Sequence, residues 1–372
     1  MEKDPFEEYI KNAEATKQEK GYAWQTAIGL QAVDGLKTSD YLKNTAIRNI
    51  EGEISFKDAN DLIQSYYAKK PSTSDEERTE EADKVSARIA ALISEKTFNF
   101  SVNEYLSIHR KLFTGIFKHA GQIRDYNITK KEWVLDGQTV LYGSATELKA
   151  TLEYDIAEEK RFSYQNLSID KIIHHYAVFV SNLWQNHVFG EGNTRTTAVF
   201  FIKYLRKHGF NVTNDIFAKN AWYFRNALVR ANYTDIQNGI HETTEFLELF
   251  LRNLLLNEKN PLNNRMLHIK WKFNQEFAKP DIGDSKPDIG NSKPDIGDSK
   301  PDIENNLNIK TERNIQAIRE AFSDKKIFGR SDLMNVIDLK ASRASELIKI
   351  MLNFNIIEPV SGFGKGKYKF KK

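Results

Sequence analysis

The repeat between Lys279 and Ile303 limits what this chain can fold into more than any other feature. It opens Lys279-Pro280-Asp281-Ile282-Gly283-Asp284-Ser285 and recurs every seven residues, with Asn291 as its variant position. Each unit contains a proline, which lacks the amide hydrogen that a helix or a ladder needs. Each complete unit also contains a glycine, the residue that loses most freedom when ordered. The seven-residue period is therefore not a coiled-coil heptad, and the segment reads as an extended, flexible linker. The chain must fold as separate bodies on either side of it. For 372 residues, about two to three domains are expected. The boundaries read as a helical unit over 1–70, a larger helical domain over 71–260, a helix tail and linker over 261–306, and a small unit over 307–372.

Composition excludes several classes of function. Cysteine is absent, so there is no disulfide, thiolate metal site or cysteine nucleophile. No run of about 18 apolar residues is present, so no membrane span is expected. The start Met1-Glu2-Lys3-Asp4-Pro5 is too charged for a signal peptide, and a cytoplasmic protein is expected. A 40% apolar content is enough to build packed cores.

Hydrophobic periodicity predicts a mainly helical fold. Phe6–Lys20 and Trp24–Val33 read as two helices, the second closed by Asp34-Gly35. Ser39 begins a helix running to about Ile50, Ser55 caps one through Tyr67, and another starts near Asp75. Tyr105–Phe113, Ile169–Asn186, 196–208, Ala221–Asn232 and Thr243–Asn257 follow. Two short β-ribbons interrupt this pattern. Residues 126–141, with Asp136-Gly137 as the turn, read as a hairpin. Ile356–Val360 and the stretch to Phe370 read as a strand and its return. In the small unit, Phe328–Leu333 reads as the start of a helix.

The chemistry is concentrated in His187-Val188-Phe189-Gly190-Glu191-Gly192-Asn193-Thr194-Arg195-Thr196. Gly190 and Gly192 let the backbone turn tightly and approach a ligand. The helix that follows points free N–H groups at the loop. Arg195 offers a forked cation suited to phosphate. Glu191 is an oxygen ligand of the kind Mg²⁺ takes beside substrate phosphates. His187 is suited to accept a proton near neutral pH. Together they describe nucleotidyl or phosphoryl transfer. His174 and His175 project about 100° apart on a helix and read as structural.

This stretch resembles the Fic family motif, HxFx(D/E)GN(G/K)R. His187, Phe189, Glu191, Gly192, Asn193 and Arg195 match it. Thr194 stands where the family has Gly or Lys, and Ala198 stands where a second Arg is usual. The resemblance implies a Fic-fold helical bundle with a β-hairpin flap, and a protein adenylyltransferase that uses ATP and Mg²⁺. It gives His187 the role of base and Glu191 that of metal ligand. Gly190, Gly192, Asn193, Thr194 and Arg195 would hold the phosphates, with Phe189 as anchor. Tyr223, Asn226 and Asn232 are candidates for the adenine and ribose pocket. The target protein would add a strand to the 126–141 hairpin.

The 1–70 unit resembles the antitoxin-like element of many Fic proteins, whose inhibitory Glu pairs with the second motif Arg and misplaces the γ-phosphate. Asp34, in Leu30–Gly35, is the better candidate for that residue, and Glu51 is the other. With Ala198 in place of the Arg, Asp34 is expected to have no ion pair to form and to inhibit poorly. The 307–372 unit resembles a winged helix, with Lys365, Lys367, Lys369, Lys371 and Lys372 forming a basic wing that could contact DNA or dock a protein. A homo-oligomer is possible. The alternatives to adenylylation are a Fic-fold transferase of another nucleotide or phosphoryl group, and a DNA-binding regulator with a nucleotide-sensing Fic domain.

Overall fold

Four serines fix the starts of four helices. In each, the side-chain oxygen accepts from an amide of the first turn: Ser39 from Leu42, Ser55 from Asp58, Ser101 from Glu104 and Ser168 from Lys171. Such a cap contributes about 1 kcal/mol. The computed structural model describes residues 15–69, 74–212 and 215–270. In the C-terminal part it describes 315, 318–319, 321–322, 327–329, 332–333, 336, 347–348, 351–352, 356–360 and 367–371. The KPDIGDS repeat and residues 1–14 lie outside the described residues. The chain divides into two compact units, Met1–Pro294 and Asp295–Lys372.

In the first unit the helices are α1 (Ala15–Gly29), α2 (Asp40–Glu51), α3 (Phe56–Tyr67), α4 (Ser74–Ser94), α5 (Val102–Phe113), α6 (Leu148–Arg161), α7 (Ile169–Gln185), α8 (Asn193–Lys207), α9 (Ile216–Ala231), α10 (Glu245–Leu256) and the short α11 (Asn264–Leu267). Helix α8 is central. Every residue from Asn193 to Leu205 is buried, and α8 packs against α4, α5 and α7. Its Phe200 and Tyr204 meet Phe98, Phe100, Tyr105 and Phe179 in one aromatic cluster. Each such side chain contributes about 1.5–3 kcal/mol through burial. Helices α1–α3 share this core with the helices that follow. The carboxylate of Asp83 on α4 is the tie, receiving the Tyr67 hydroxyl at 2.7 Å and the Ser39 amide at 2.9 Å.

Four expectations are corrected here. The described part of the first two predicted helices is one helix to Gly29, continued as a 3₁₀ turn over Leu30–Asp34. A Cβ at Gly29 would come within 3.0 Å of the Ala218 backbone, so the glycine permits the close approach of α1 to α9. Helix α8 starts at Asn193 rather than Thr196, which puts Asn193, Thr194 and Arg195 in its first turn. Residues 126–141 form no strands. The turn sits where expected, with Asp136 and Gly137 both at positive φ, and Glu132 N–H donates to Gln138 O at 2.9 Å. The arms do not pair further because other groups take their polar atoms. Lys130 N–H goes to Thr139 Oγ1 at 3.2 Å, and Val134 O accepts from Ile269 N–H at 3.0 Å. Trp133–Leu135 is a 3₁₀ turn. Finally, Phe328–Gly329 is a strand rather than a helix start.

That strand, β1, belongs to the second unit with β2 (Ile357–Pro359) and β3 (Lys367–Phe370), in an antiparallel sheet of order β1-β3-β2. Phe328 faces Tyr368, and Ile357 faces Phe370. Ile315, Ile318, Leu333, Leu347 and Met351 complete a small core. The molecule is mainly helical with a small C-terminal α+β unit, as the sequence indicates. Two lysines of the expected basic row are paired within this unit: Lys367 with Asp332 at 3.3 Å and Lys369 with Glu358 at 3.0 Å. Among the described residues no helix is long and apolar enough to cross a membrane.

Candidate active site

The loop between α7 and α8 is built around His187. Its backbone is left-handed, with φ +48°, a conformation that costs a non-glycine residue about 1–3 kcal/mol. The side chain is 3% exposed. Its ring lies against Tyr142, with centroids 4.3 Å apart, and edge-on to Trp184 at 5.2 Å. Nδ1 is 3.3 Å from Trp184 O, whereas Nε2 is buried without a hydrogen-bond partner. The geometry assigns the proton to Nδ1, which leaves the Nε2 lone pair free. Burial, followed by the cations Lys130, Arg225 and Arg124, holds the imidazole pKa well below its usual value. His187 is therefore neutral near pH 7, the state a general base requires.

Aromatic packing and one amide ring hold the rest of the loop. Phe189 is fully buried and stacks on His109 with centroids 3.7 Å apart. His109 Nδ1 accepts from Gly121 N–H at 2.8 Å, which makes Nε2 the donor to Glu191 O at 3.0 Å. Asn193 Oδ1 accepts from Phe189 N–H at 3.0 Å, and its Nδ2 donates to Phe189 O at 2.7 Å. Asn193 thus closes the loop on itself rather than extending into the site. Thr194 also differs from the expected phosphate contact, since its hydroxyl accepts from Trp184 Nε1 at 2.9 Å in the helix interface. Gly192 has φ +74°, and a Cβ there would come within 3.0 Å of the Phe113 ring. A Cβ on Gly190 would meet Tyr126 Oη at 2.5 Å and His119 Nε2 at 3.1 Å. Those two side chains cover the loop.

Arg195 gives the main correction. The sequence leaves Asp34 without a cation, because Ala198 replaces the second motif Arg. In the structure Asp34 reaches Arg195 instead: Oδ2 lies 2.8 Å from Nε, off the N–H direction, so this is an ion pair without an aligned hydrogen bond. Glu81 of α4 accepts from Nη2 at 2.6 Å, and Gln31 Oε1 accepts from Nη1 at 3.1 Å. The guanidinium also lies 4.8 Å from the centre of the Phe113 ring. It is buried, yet its pKa is raised, because Asp34 and Glu81 outweigh the desolvation that would lower it. Glu51, the other inhibitory candidate, pairs with Lys17 at 2.8 Å on the surface.

The other side of the site comes from the 126–142 segment and α9. Glu132 is fully buried: its Oε1 accepts from Arg225 Nη2 at 3.0 Å and from the Tyr142 hydroxyl at 2.9 Å, and its Oε2 forms an ion pair with Arg225 Nη1 at 2.6 Å without an aligned hydrogen bond. The Lys130 ammonium makes no ion pair among the described residues. Burial lowers its pKa, against the field of Asp34, with Arg225, Glu132 and Glu191 also acting on it. The Glu191 carboxyl is shifted up by burial and by Glu81, and Lys130 opposes this. Sequence reading missed Glu81, Lys130, Glu132, Arg225, His109 and the structural role of Arg124. A single polar residue carries no periodic signal of its long-range partner, whether it sits on a helix, as Glu81, His109 and Arg225 do, or in a loop, as Arg124, Lys130 and Glu132 do.

Tyr223, Asn226 and Asn232, the candidates for the adenine and ribose pocket, make contacts with neighbouring elements. Tyr223 and Asn226 are 1% and 0% exposed. The Tyr223 hydroxyl donates to Phe246 O at 3.2 Å, and Asn226 Nδ2 donates to Asn264 Oδ1 at 2.8 Å. Asn232 Nδ2 donates to Ser181 O at 3.1 Å and to Leu228 O at 2.9 Å. All three fasten α9 to its neighbours. His174 and His175 are structural, paired with Glu248 and Glu159 at 2.7 Å each.

Residues 99–205 match the Fic/DOC family. The chain carries a Fic/DOC domain. The match runs from the approach to α5 through α8, so it contains His187, Glu191 and Arg195. Both carboxylates on Arg195 come from residues N-terminal to it. The family includes adenylylating enzymes and other nucleotidyl and phosphoryl transferases. No curated protein matches the chain.

Proposed function

We propose that the Fic/DOC domain transfers AMP from ATP to a Ser, Thr or Tyr hydroxyl of a protein, or of the chain itself. The observation that carries this reading is His187: a buried neutral imidazole with only Nε2 free, beside Lys130, Arg225 and Arg124. A base flanked by cations suits an in-line attack by a hydroxyl on a polyphosphate. Nε2 takes the hydroxyl proton as the oxygen bonds to the α-phosphorus. The bond from that phosphorus to the bridging oxygen breaks, and pyrophosphate leaves. The amides of Gly192 and Asn193 at the start of α8, with Arg195 and Lys130, would hold the phosphate oxygens. Thr194 adds little bulk to the loop, because its side chain faces Trp184. The target would lie along the 126–141 segment, where Leu141 is 75% exposed.

Among the described residues no group of three or more His, Cys, Asp or Glu is placed to hold a metal ion. Mg²⁺ needs only one or two carboxylates when substrate phosphates supply the rest, and Glu191 fits that requirement. When bound, Mg²⁺ would neutralise charge on the phosphates.

We further propose that Asp34 and Glu81 keep the domain in a resting state by occupying Arg195. The test is incubation with ATP labelled at either the α- or the γ-phosphate, followed by mass spectrometry. Protein labelled only from the α-position, with a mass gain of AMP that His187→Ala abolishes, is the expected result. Labelling only from the γ-position would show phosphoryl transfer and refute the adenylylation reading.

A further inference from the structure

Arg124 lies in the loop between α5 and the 126–142 segment and is buried. Its backbone N–H donates to Val188 O at 2.9 Å. Its Nε donates to His187 O at 2.7 Å, and its Nη2 donates to Asn186 O at 3.3 Å. Three consecutive carbonyls, those of residues 186, 187 and 188, therefore end on one residue. In a helix, successive carbonyls run along the axis and cannot share one donor group. They converge here because the chain reverses at the left-handed His187. Nη2 also donates to Gly143 O at 2.6 Å, and Nη1 donates to Tyr126 O. The two ends of the 126–142 segment are thus tied to the same point as the catalytic loop.

Several features separate this arrangement from an ordinary buried arginine. No carboxylate pairs with Arg124 among the described residues, so its charge is spread over carbonyl oxygens alone. The segment it anchors carries Tyr142, whose ring lies on the His187 imidazole. Gly143 sits where a Cβ would be 2.9 Å from Leu148 and 3.0 Å from Asn186 O. The planar fork of an arginine can reach several acceptors at fixed angles, which a lysine ammonium cannot do.

We propose that Arg124 is the positioning residue for His187: by gathering the carbonyls of residues 186–188 with those of Tyr126 and Gly143, it fixes the left-handed turn that orients the imidazole. It does not touch the reacting atoms. The inference rests on the reading of His187 as the base, but the orientation of the ring can be measured without any transfer reaction.

The experiment compares the full-length wild type with Arg124→Gln and Arg124→Lys. Transfer kinetics give one readout. Nuclear magnetic resonance of ¹⁵N-histidine-labelled protein gives the other, with the His187 signals identified by their loss in His187→Gln. In folded Arg124→Gln, kcat should fall on the order of 100-fold, the cost of misplacing a catalytic group by about 1 Å. KM for ATP should change less than about threefold, because the groups proposed to hold phosphate remain. The His187 signals should change from one Nδ1–H tautomer to a mixture.

The acid limb of the pH profile should also move. Lys130, Arg225 and Arg124 are the cations facing His187, with Glu132 beyond Tyr142. Removing one cation raises the imidazole pKa, so the limb moves to higher pH in Arg124→Gln and stays in place in Arg124→Lys, which should recover only part of kcat. Unchanged kcat and unchanged His187 signals in a folded variant would overturn the proposal. If Arg124→Gln does not fold, Arg124→Lys decides by the same readouts. Failure of both to fold would overturn it in favour of a purely structural role. A wild type that transfers nothing would refute the proposed reaction, and the tautomer measurement would still decide this inference.

Discussion

Removing one carboxylate at a time from Arg195 should release the site in unequal steps. The Asp34 side chain is 38% exposed, so solvent screening limits its pair to about 0.2–1 kcal/mol. That corresponds to at most about fivefold in rate. Asp34→Ala and Asp34→Gly should therefore raise transfer by less than about tenfold. Glu81 is 19% exposed and bonded at 2.6 Å. A hydrogen bond to a charged group at such a site is worth about 1.5–3 kcal/mol. Glu81→Gln should therefore give about 10- to 150-fold.

Each single variant leaves the other carboxylate on the guanidinium. The double variant leaves a buried cation with no carboxylate, held by Gln31 and the Phe113 ring, and it should lose about 3–5 kcal/mol of stability. ATP should restore part of this loss by mass action. The assay is the initial rate with α-labelled ATP below saturation, with thermal unfolding measured with and without ATP. Glu51→Ala should do nothing, since Glu51 pairs with Lys17 away from the loop. A gain of several orders of magnitude in Asp34→Ala alone would refute the two-carboxylate account. So would a Glu81→Gln variant that behaves as wild type.

Other variants test the site and its supports. His187→Ala should abolish transfer while ATP affinity, measured by calorimetry, stays within about threefold, because the imidazole handles the proton and not the phosphates. Burial holds His109 at a pKa of about 3. The unfolded chain therefore takes up that proton first: the stability is complete above about pH 6.5 and is lost as pH falls toward 3. The loss should reach ~2 kcal/mol at pH 5, and His109→Gln should flatten the pH dependence of chemical unfolding by that amount. Gly29→Ala forces a methyl against the Ala218 backbone and should cost about 1–3 kcal/mol in unfolding experiments.

The helices were legible because their signals are local. Ser39 and Ser55 cap helices by contacts within one turn, and the apolar run after Arg195 reads as a helix, which is buried. The loop at 187–196 was legible because its glycines, carboxylate and cation are contiguous. The 126–141 segment was misread because β-prone residues say nothing about competing partners. Glu132 is taken by Arg225 from 93 residues away and Val134 O by Ile269. The Tyr223 hydroxyl and the Asn226 amide nitrogen serve contacts between elements that are distant in sequence, which their local pattern does not show. Nothing local to Arg124 in the sequence shows that five carbonyls lie around it.

The Asp34 reading failed for a different reason, with a kinetic consequence. Its partner was sought at a motif position, Ala198, whereas the physical requirement is a cation within reach. Helix α8 begins at Asn193, so Arg195 and position 198 are i and i+3 on one helix face. With alanine at 198, Asp34 meets the cation one turn earlier. That changes what the contact can inhibit. A carboxylate on the second Arg would leave ATP bound with its γ-phosphate misplaced, which lowers kcat. Carboxylates on Arg195 occupy a group proposed to hold the phosphate oxygens, so they compete with ATP for it. Releasing them should therefore lower KM for ATP more than it raises kcat. In Glu81→Gln, most of the gain in kcat/KM should appear as a fall in KM measured by initial rates over a range of ATP. A gain confined to kcat at constant KM would mean that the pair acts on ATP orientation, as in the usual family arrangement, and that competition for Arg195 is not the mechanism.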